Sequence, residues 1–132
     1  MGTDESVFNK YFVSLSPHEL AAVAQQYHNL TNHSILDAID KEFSGDSKKA
    51  FRTIVYATIS PSEYFATRVK DAIKGFGTKD TLLIRILVSR DEIDMPQIKQ
   101  YYKQLYGKDM VEDVKNDISG DYQKLMVELC AH

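Results

Sequence analysis

The chain has 132 residues, 43% apolar and 27% charged, with only six Gly and three Pro; this is the profile of a globular chain and excludes disorder, collagen and low-complexity sequence. Sixteen basic against nineteen acidic side chains leave a net charge of −3. With no Lys/Arg block to offset that balance, binding of nucleic acid or anionic lipid through a broad basic surface is excluded. One cysteine cannot form an internal disulfide, and the absence of a charged-then-apolar leader or of an apolar run near twenty residues leads us to expect a cytoplasmic chain, neither secreted nor membrane-spanning.

In chain order, apolar residues fall at helical spacing throughout. The stripes are Val7, Phe8, Tyr11 and Phe12; Leu20, Val23, Tyr27 and Leu30; Ile35, Leu36 and Ile39; then Phe51, Ile54 and Val55. A fifth helix is predicted over 62–74, with Tyr64, Phe65, Val69, Ala72 and Ile73 on one face. Beyond it come Leu82, Leu83, Ile86 and Leu87; Ile98, Tyr101, Tyr102 and Leu105; Met110, Val111 and Val114; and Tyr122, Leu125, Met126, Leu129 and Cys130. Ser16-Pro17-His18-Glu19 and Ser60-Pro61-Ser62-Glu63 have the form of capping boxes with Pro at the first helical position. Thr3, Thr78, Ser44 and Ser119 are further N-cap candidates. Pro96 would break a helix interior, so a helix start is placed near Glu92, with Pro96 in its first turn.

The chain is also written twice. Shifted by 75 residues it matches itself without a gap, residues 2–55 falling on 77–130. Identities include Gly2/Gly77, Thr3/Thr78, Tyr27/Tyr102, Ser44/Ser119, Gly45/Gly120 and Asp46/Asp121. The expectation is an all-α fold of two helical repeats, a four-helix unit over 1–59 and a five-helix unit over 60–132. Met1 stands where the first unit's fifth helix would just have ended. Without that cover the first unit is expected to expose a contiguous apolar groove, to be closed by homodimerisation or by missing upstream repeats.

Between two predicted helices lies Ile73-Lys74-Gly75-Phe76-Gly77-Thr78. Alternate glycines permit positive φ and close approach to an ion, so backbone carbonyls can serve calcium, which takes six to eight hard oxygen ligands. The repeat offers negative charge at Asp117, forty positions after Gly77 and just before Ser119-Gly120-Asp121; its counterpart in the first copy is Glu42.

Five helices per repeat, the Gly-Phe-Gly-Thr loop and the acid forty residues on together resemble an annexin, specifically the last two of that family's usual four repeats. The resemblance implies an annexin-like fold and calcium (Ca2+) as cofactor. It implies a metal site built from the carbonyls of Ile73, Gly75 and Gly77 and both oxygens of Asp117, completed by water and lipid phosphate. In the first copy Gly2 and Glu42 remain but the preceding loop residues are absent, so that site is expected to be incomplete. Lys79 stands where the family usually has an acid, placing positive charge near the ion, and Ile118 replaces a common threonine. Phe76, at the loop apex, is the candidate membrane contact. The implied function is calcium-dependent binding to anionic phospholipid membranes, with the protein cytoplasmic and peripheral to the membrane on calcium binding. The alternative is a calcium-independent helical scaffold for cytoskeletal or other protein partners.

The remaining motifs read as structural. Met1–Ser6 satisfies a myristoylation pattern, but the repeat already accounts for Gly2-Thr3. Asn29 and Asn32 head glycosylation sequons and are read as helix-ending polar residues, Cys130 as core, and His28 with His33 as lacking zinc spacing. Lys10 and Arg85 are equivalent charges on apolar helices, either paired or snorkelling. No nucleotide loop, catalytic dyad or metal-hydrolase motif occurs, and a non-enzymatic protein is expected.

Overall fold

The structure, a computed structural model, describes residues 5–132. Among them every regular element is helical: α1 (Glu5–Ser14), α2 (Pro17–Thr31), α3 (Ile35–Glu42), α4 (Gly45–Ile59), α5 (Pro61–Ile73), α6 (Asp80–Tyr106), α7 (Met110–Asp117) and α8 (Gly120–Leu129). No helix among the described residues is long and apolar enough to cross a membrane. Two compact units divide the chain, Met1–Pro61 and Ser62–His132. Gly2, the Thr3 cap and the myristoylation pattern lie outside the described residues.

In the first unit α2 starts as its sequence dictates. The Glu19 amide donates to Ser16 Oγ (3.2 Å), and the Ser16 amide donates to Glu19 Oε2 (2.8 Å). Two otherwise orphaned helix-start donors are thereby satisfied. The helix ends at Asn32, which takes the left-handed conformation at φ 57°, a position asparagine tolerates better than most residues. Ser34 Oγ then accepts from the Leu36 amide (3.1 Å) to start α3.

The apolar stripes meet in a core of Phe12, Leu20, Ile35, Ile39, Phe43, Phe51 and Val55, with Phe8 packed against it. Ring centroids lie 5.3 Å apart for Phe8 and Phe12, 4.9 Å for Phe8 and Phe43, and 4.9 Å for Phe43 and Phe51. The second unit has Leu83, Leu87, Ile118 and Met126 at the positions of these four phenylalanines. The first unit, in which no counterpart of α5 is described, thus uses larger side chains, each of which removes more apolar area from water.

In the second unit α5 buries Ala66, Val69, Ala72 and Ile73 in a core with Leu83, Ile86, Leu87, Met95, Ile98, Tyr102, Met110, Val114, Met126 and Cys130, and Phe65 packs alongside. Tyr64 is only partly buried, set against the edge of Phe65 at 5.3 Å. The helix start expected near Glu92 is displaced: α6 runs through it and breaks at Asp94 (φ −148°, ψ 26°). Pro96 lacks an N–H and clashes with the carbonyl four residues back, so the chain must leave the helix just before it. Asp94 is buried at the break, accepting from Arg90 Nε (2.8 Å) and Ser62 Oγ (2.6 Å). Burial alone would push its carboxyl up, but the bonds from Arg90 and Ser62 outweigh that and hold it below the ordinary value.

Cys130 is buried, and burial pushes its thiol up to about 11, which leaves it a core residue without thiolate reactivity. Lys10, Arg85, His28 and His33 are all exposed.

Candidate functional site

The glycine loop leaves the C-terminus of α5, and α7 ends at Asp117. These two helix ends meet through Thr78. Its hydroxyl donates to the Asp117 carboxylate through Oδ2 and lies 3.2 Å from the Asp117 backbone carbonyl. Thr78 is not the helix cap expected of it: the residue preceding α6 is Lys79, with no side-chain capping bond. The hydroxyl serves the carboxylate instead, because a charge-assisted hydrogen bond is stronger than one to a neutral backbone amide. Ser44 and Ser119 do occupy N-cap positions, again without side-chain capping bonds.

The loop has the backbone its glycines permit. Gly75 and Gly77 sit at φ 90° and 76°, where a Cβ is disfavoured by the backbone itself, and the Lys79 amide closes the loop on the Ala72 carbonyl at 2.7 Å. A Cβ added at Gly77 would meet no atom within 4 Å, so the penalty there is conformational. Gly77→Ala is expected to cost about 1–2 kcal/mol, read as a lower urea midpoint at unchanged m-value.

Between the glycines Phe76 is fully exposed, and Lys79 is exposed beyond them. Lys74 is drawn back to α5 by an ion pair with Asp71 (2.7 Å), so its ammonium is held on the helix that precedes the loop.

The carboxylate is held on the α7 side as well. Gln123 Nε2 donates to the carbonyls of Lys115 (2.8 Å) and Ile118 (2.9 Å), and Ile118 is buried. These contacts fix the turn that carries Asp117. Unpaired carbonyls at a helix C-terminus concentrate partial negative charge. Two helix C-termini and a carboxylate meet here, and although the Ala72, Lys115, Asp117 and Ile118 carbonyls are already bonded, the dipoles of both helices favour a cation. Tyr122 lies beside this junction: burial pushes its phenol up to about 12, and the carboxylates of Asp80 and Asp117 add to the shift.

Thr78, Gln123 and Tyr122 were not singled out for this site from the sequence, although Thr78 recurs as Thr3 in the repeat. Among the described residues no group of three or more His, Cys, Asp or Glu side chains is placed to hold a metal. Any cation here must draw chiefly on backbone oxygen, which is what a glycine loop exposes. In the first unit Glu42 ends α3 and is exposed; Gly2 is outside the described residues.

Known proteins resemble this chain in sequence and fold. The annexin family model matches residues 1–54 and 64–129. Annexin A11 of Oryctolagus cuniculus is 42% identical over 130 residues, spanning 98% of this chain and 26% of that protein. Annexin A1 of Rattus norvegicus is 40% identical over 129 residues, 98% of this chain and 37% of that one. Among solved structures, annexin III superposes with a TM-score of 0.88 at 33% identity, covering 100% of this chain and 41% of its own. A calcium-bound annexin (Sm)1 gives 0.86 at 31% identity, covering 92% and 35%. The chain thus spans about a quarter to two-fifths of the length of these relatives. With helical repeats matched twice over nearly its whole length, this chain belongs to the annexin family.

Proposed function

We propose that this chain binds anionic phospholipid membranes in a calcium-dependent manner, by a binding rather than a catalytic mechanism. The observation that carries the reading is the Thr78–Asp117 hydrogen bond, which ties the carboxylate at the end of α7 to the glycine loop. The carbonyls of Ile73, Gly75 and Gly77 and the carboxylate of Asp117 are the metal ligands, with Thr78 orienting the carboxylate. Support comes from the two left-handed glycines, from the convergent helix C-termini, and from likeness to an annexin solved with calcium bound.

Calcium at this loop would supply a net positive charge with open coordination positions to a chain whose own charge is −3. The residues do the rest. The loop is exposed at Gly75, Phe76 and Gly77, and the Phe76 ring can enter the lipid interface. Glu42 and Gly2 belong to a second site of lower affinity. The protein is cytoplasmic and reaches the membrane surface only when calcium is loaded.

The sequence contains no tryptophan, so Phe76→Trp gives a single reporter at the loop apex. With phosphatidylserine vesicles and calcium, the protein should sediment with the vesicles and its emission should shift to the blue; chelator should reverse both. Sedimentation without a shift would remove Phe76 as the lipid contact. Equal sedimentation with calcium and with chelator, or none in either, would remove the calcium reading and favour a calcium-independent helical scaffold for protein partners.

A further inference from the structure

Among the described residues, the charged side chains around the glycine loop are engaged, with one exception. On the α5 side the Asp71 carboxylate is shared by Lys74 (2.7 Å) and Arg68 (3.0 Å). On the α7 side Lys115 pairs with Glu112 (3.8 Å), and Thr78 takes the Asp117 carboxylate. Asp80 acts on the Tyr122 phenol, adding to the upward push of burial. The exception is Lys79. Its backbone is fixed on both sides, the amide donating to the Ala72 carbonyl (2.7 Å) and the carbonyl accepting from the Leu83 amide (3.0 Å). Its side chain caps nothing, is exposed and, among the described residues, has no carboxylate partner. Lys79 thus roots an unneutralised ammonium just beyond Thr78, on the rim where Gly75, Phe76 and Gly77 are also exposed.

On the basis of the calcium reading above, we propose that Lys79 is the residue with which the loop reads lipid headgroups, its ammonium binding the phosphate or carboxylate oxygens of an anionic lipid at the membrane surface. The occupant follows from the pairing of a free cation with an apolar ring. Phe76 is fully exposed on the same rim, and a lipid interface takes up both, the ring in its apolar boundary and the ammonium among the headgroups. The charge acts with opposite sign on the two ligands. It opposes calcium while no lipid is present, because like charges repel. It attracts an anionic headgroup, and one lysine at such a surface is worth about fivefold in binding. Lys79 therefore ties calcium binding to lipid more steeply than a neutral side chain there would, and gives the loop a preference for anionic over zwitterionic headgroups.

Lys79→Gln and Lys79→Arg, each in the whole chain, are compared with the unaltered protein in two measurements. Calorimetric calcium titration without lipid reads the repulsion: Lys79→Gln is expected to bind calcium about two- to threefold tighter, and Lys79→Arg to match the unaltered chain. Cosedimentation at fixed calcium with vesicles of phosphatidylcholine containing phosphatidylserine reads the attraction. There Lys79→Gln is expected to need about fivefold more lipid for half-maximal binding, with Lys79→Arg again matching the unaltered chain. Damage to the loop or the fold would weaken both measurements together, so opposite signs from one substitution separate charge from structure. Calcium binding by Lys79→Gln that is weaker or unchanged without lipid, or vesicle binding that is unchanged, overturns the proposal. Soluble O-phosphoserine in place of vesicles distinguishes the source of the anion: a Lys79-dependent gain as large as that from vesicles would assign the lysine to free phosphate and overturn the membrane role. An unaltered chain that fails to sediment with calcium removes the calcium reading and this proposal with it. An unaltered chain that sediments and is matched by Lys79→Gln removes this proposal alone.

Discussion

Asp117→Asn is expected to weaken calcium binding by at least about tenfold while leaving the helical content unchanged. The substitution keeps the size of the side chain and an oxygen able to accept from Thr78, but it removes the one formal charge among the proposed ligands. Affinity of an oxygen site for calcium is tuned by ligand charge count and rigidity, and a tenfold loss corresponds to about 1.4 kcal/mol. Glu42→Gln alters the proposed weaker site of the first unit, and is expected to change total binding far less. Isothermal calorimetry on both variants reads the asymmetry. A greater loss with Glu42→Gln would show that the ligand assignment is wrong. A normal calorimetric titration for Asp117→Asn would leave the carboxylate with a structural role only, as the partner of Thr78.

How far the sequence was legible depends on how far each contact lies along the chain. The α3 and α7 spans, Ile35–Glu42 and Met110–Asp117, stand 75 residues apart at both ends, as the repeat requires. The apolar stripes of Ile35, Leu36 and Ile39 and of Met110, Val111 and Val114 sufficed there; the capping side chains that start each helix, Ser34 and Asp109, emerge only from the structure. The junction before the second helix of each copy was less legible. In the first copy Ser16, Pro17 and Glu19 stop one helix and start the next. The second copy has Asp91, Glu92 and Asp94 at those positions and delays its proline to Pro96, so the break moves to Asp94, and a tertiary partner, Ser62, fixes it there. The glycine loop was read from its glycines and the repeat, whereas the Thr78–Asp117 bond was not, since its partners are 39 residues apart and no spacing rule connects a loop hydroxyl to the end of a helix two elements on. The Asp113 network was equally hidden, because its equivalent in the first copy is Ala38 and the repeat gives no hint of it.

That network sets the second large effect. Asp113 accepts from Tyr102 Oη (2.7 Å) and Lys70 Nζ (3.0 Å), with Lys108 at 3.7 Å, and its side chain is 16% exposed. Burial raises its carboxyl, but the hydrogen bonds and positive charge of Tyr102, Lys70 and Lys108 outweigh burial and hold it below the ordinary value. Burial, with Asp113 adding, pushes the Tyr102 phenol up, so it stays a donor at all working pH. Removing the carboxylate leaves a phenol and a half-buried ammonium without their acceptor. Asp113→Ala is therefore expected to destabilise the second unit by about 2–4 kcal/mol at pH 7. The effect must be pH-dependent, and its sign follows from the lowered folded value. The carboxylate's contribution is fully present above the unfolded carboxyl's range near pH 4, and is lost as pH falls through the lower value it has in the fold. Urea unfolding of both proteins at pH 7 and at pH 3, with hydrogen exchange in α5 and α7 to localise the change, should show a gap between them that narrows in acid. A gap of the same size at both pH values would mean that Asp113 acts through packing alone, and that α5 is held by its apolar face without help from the Lys70 ion pair.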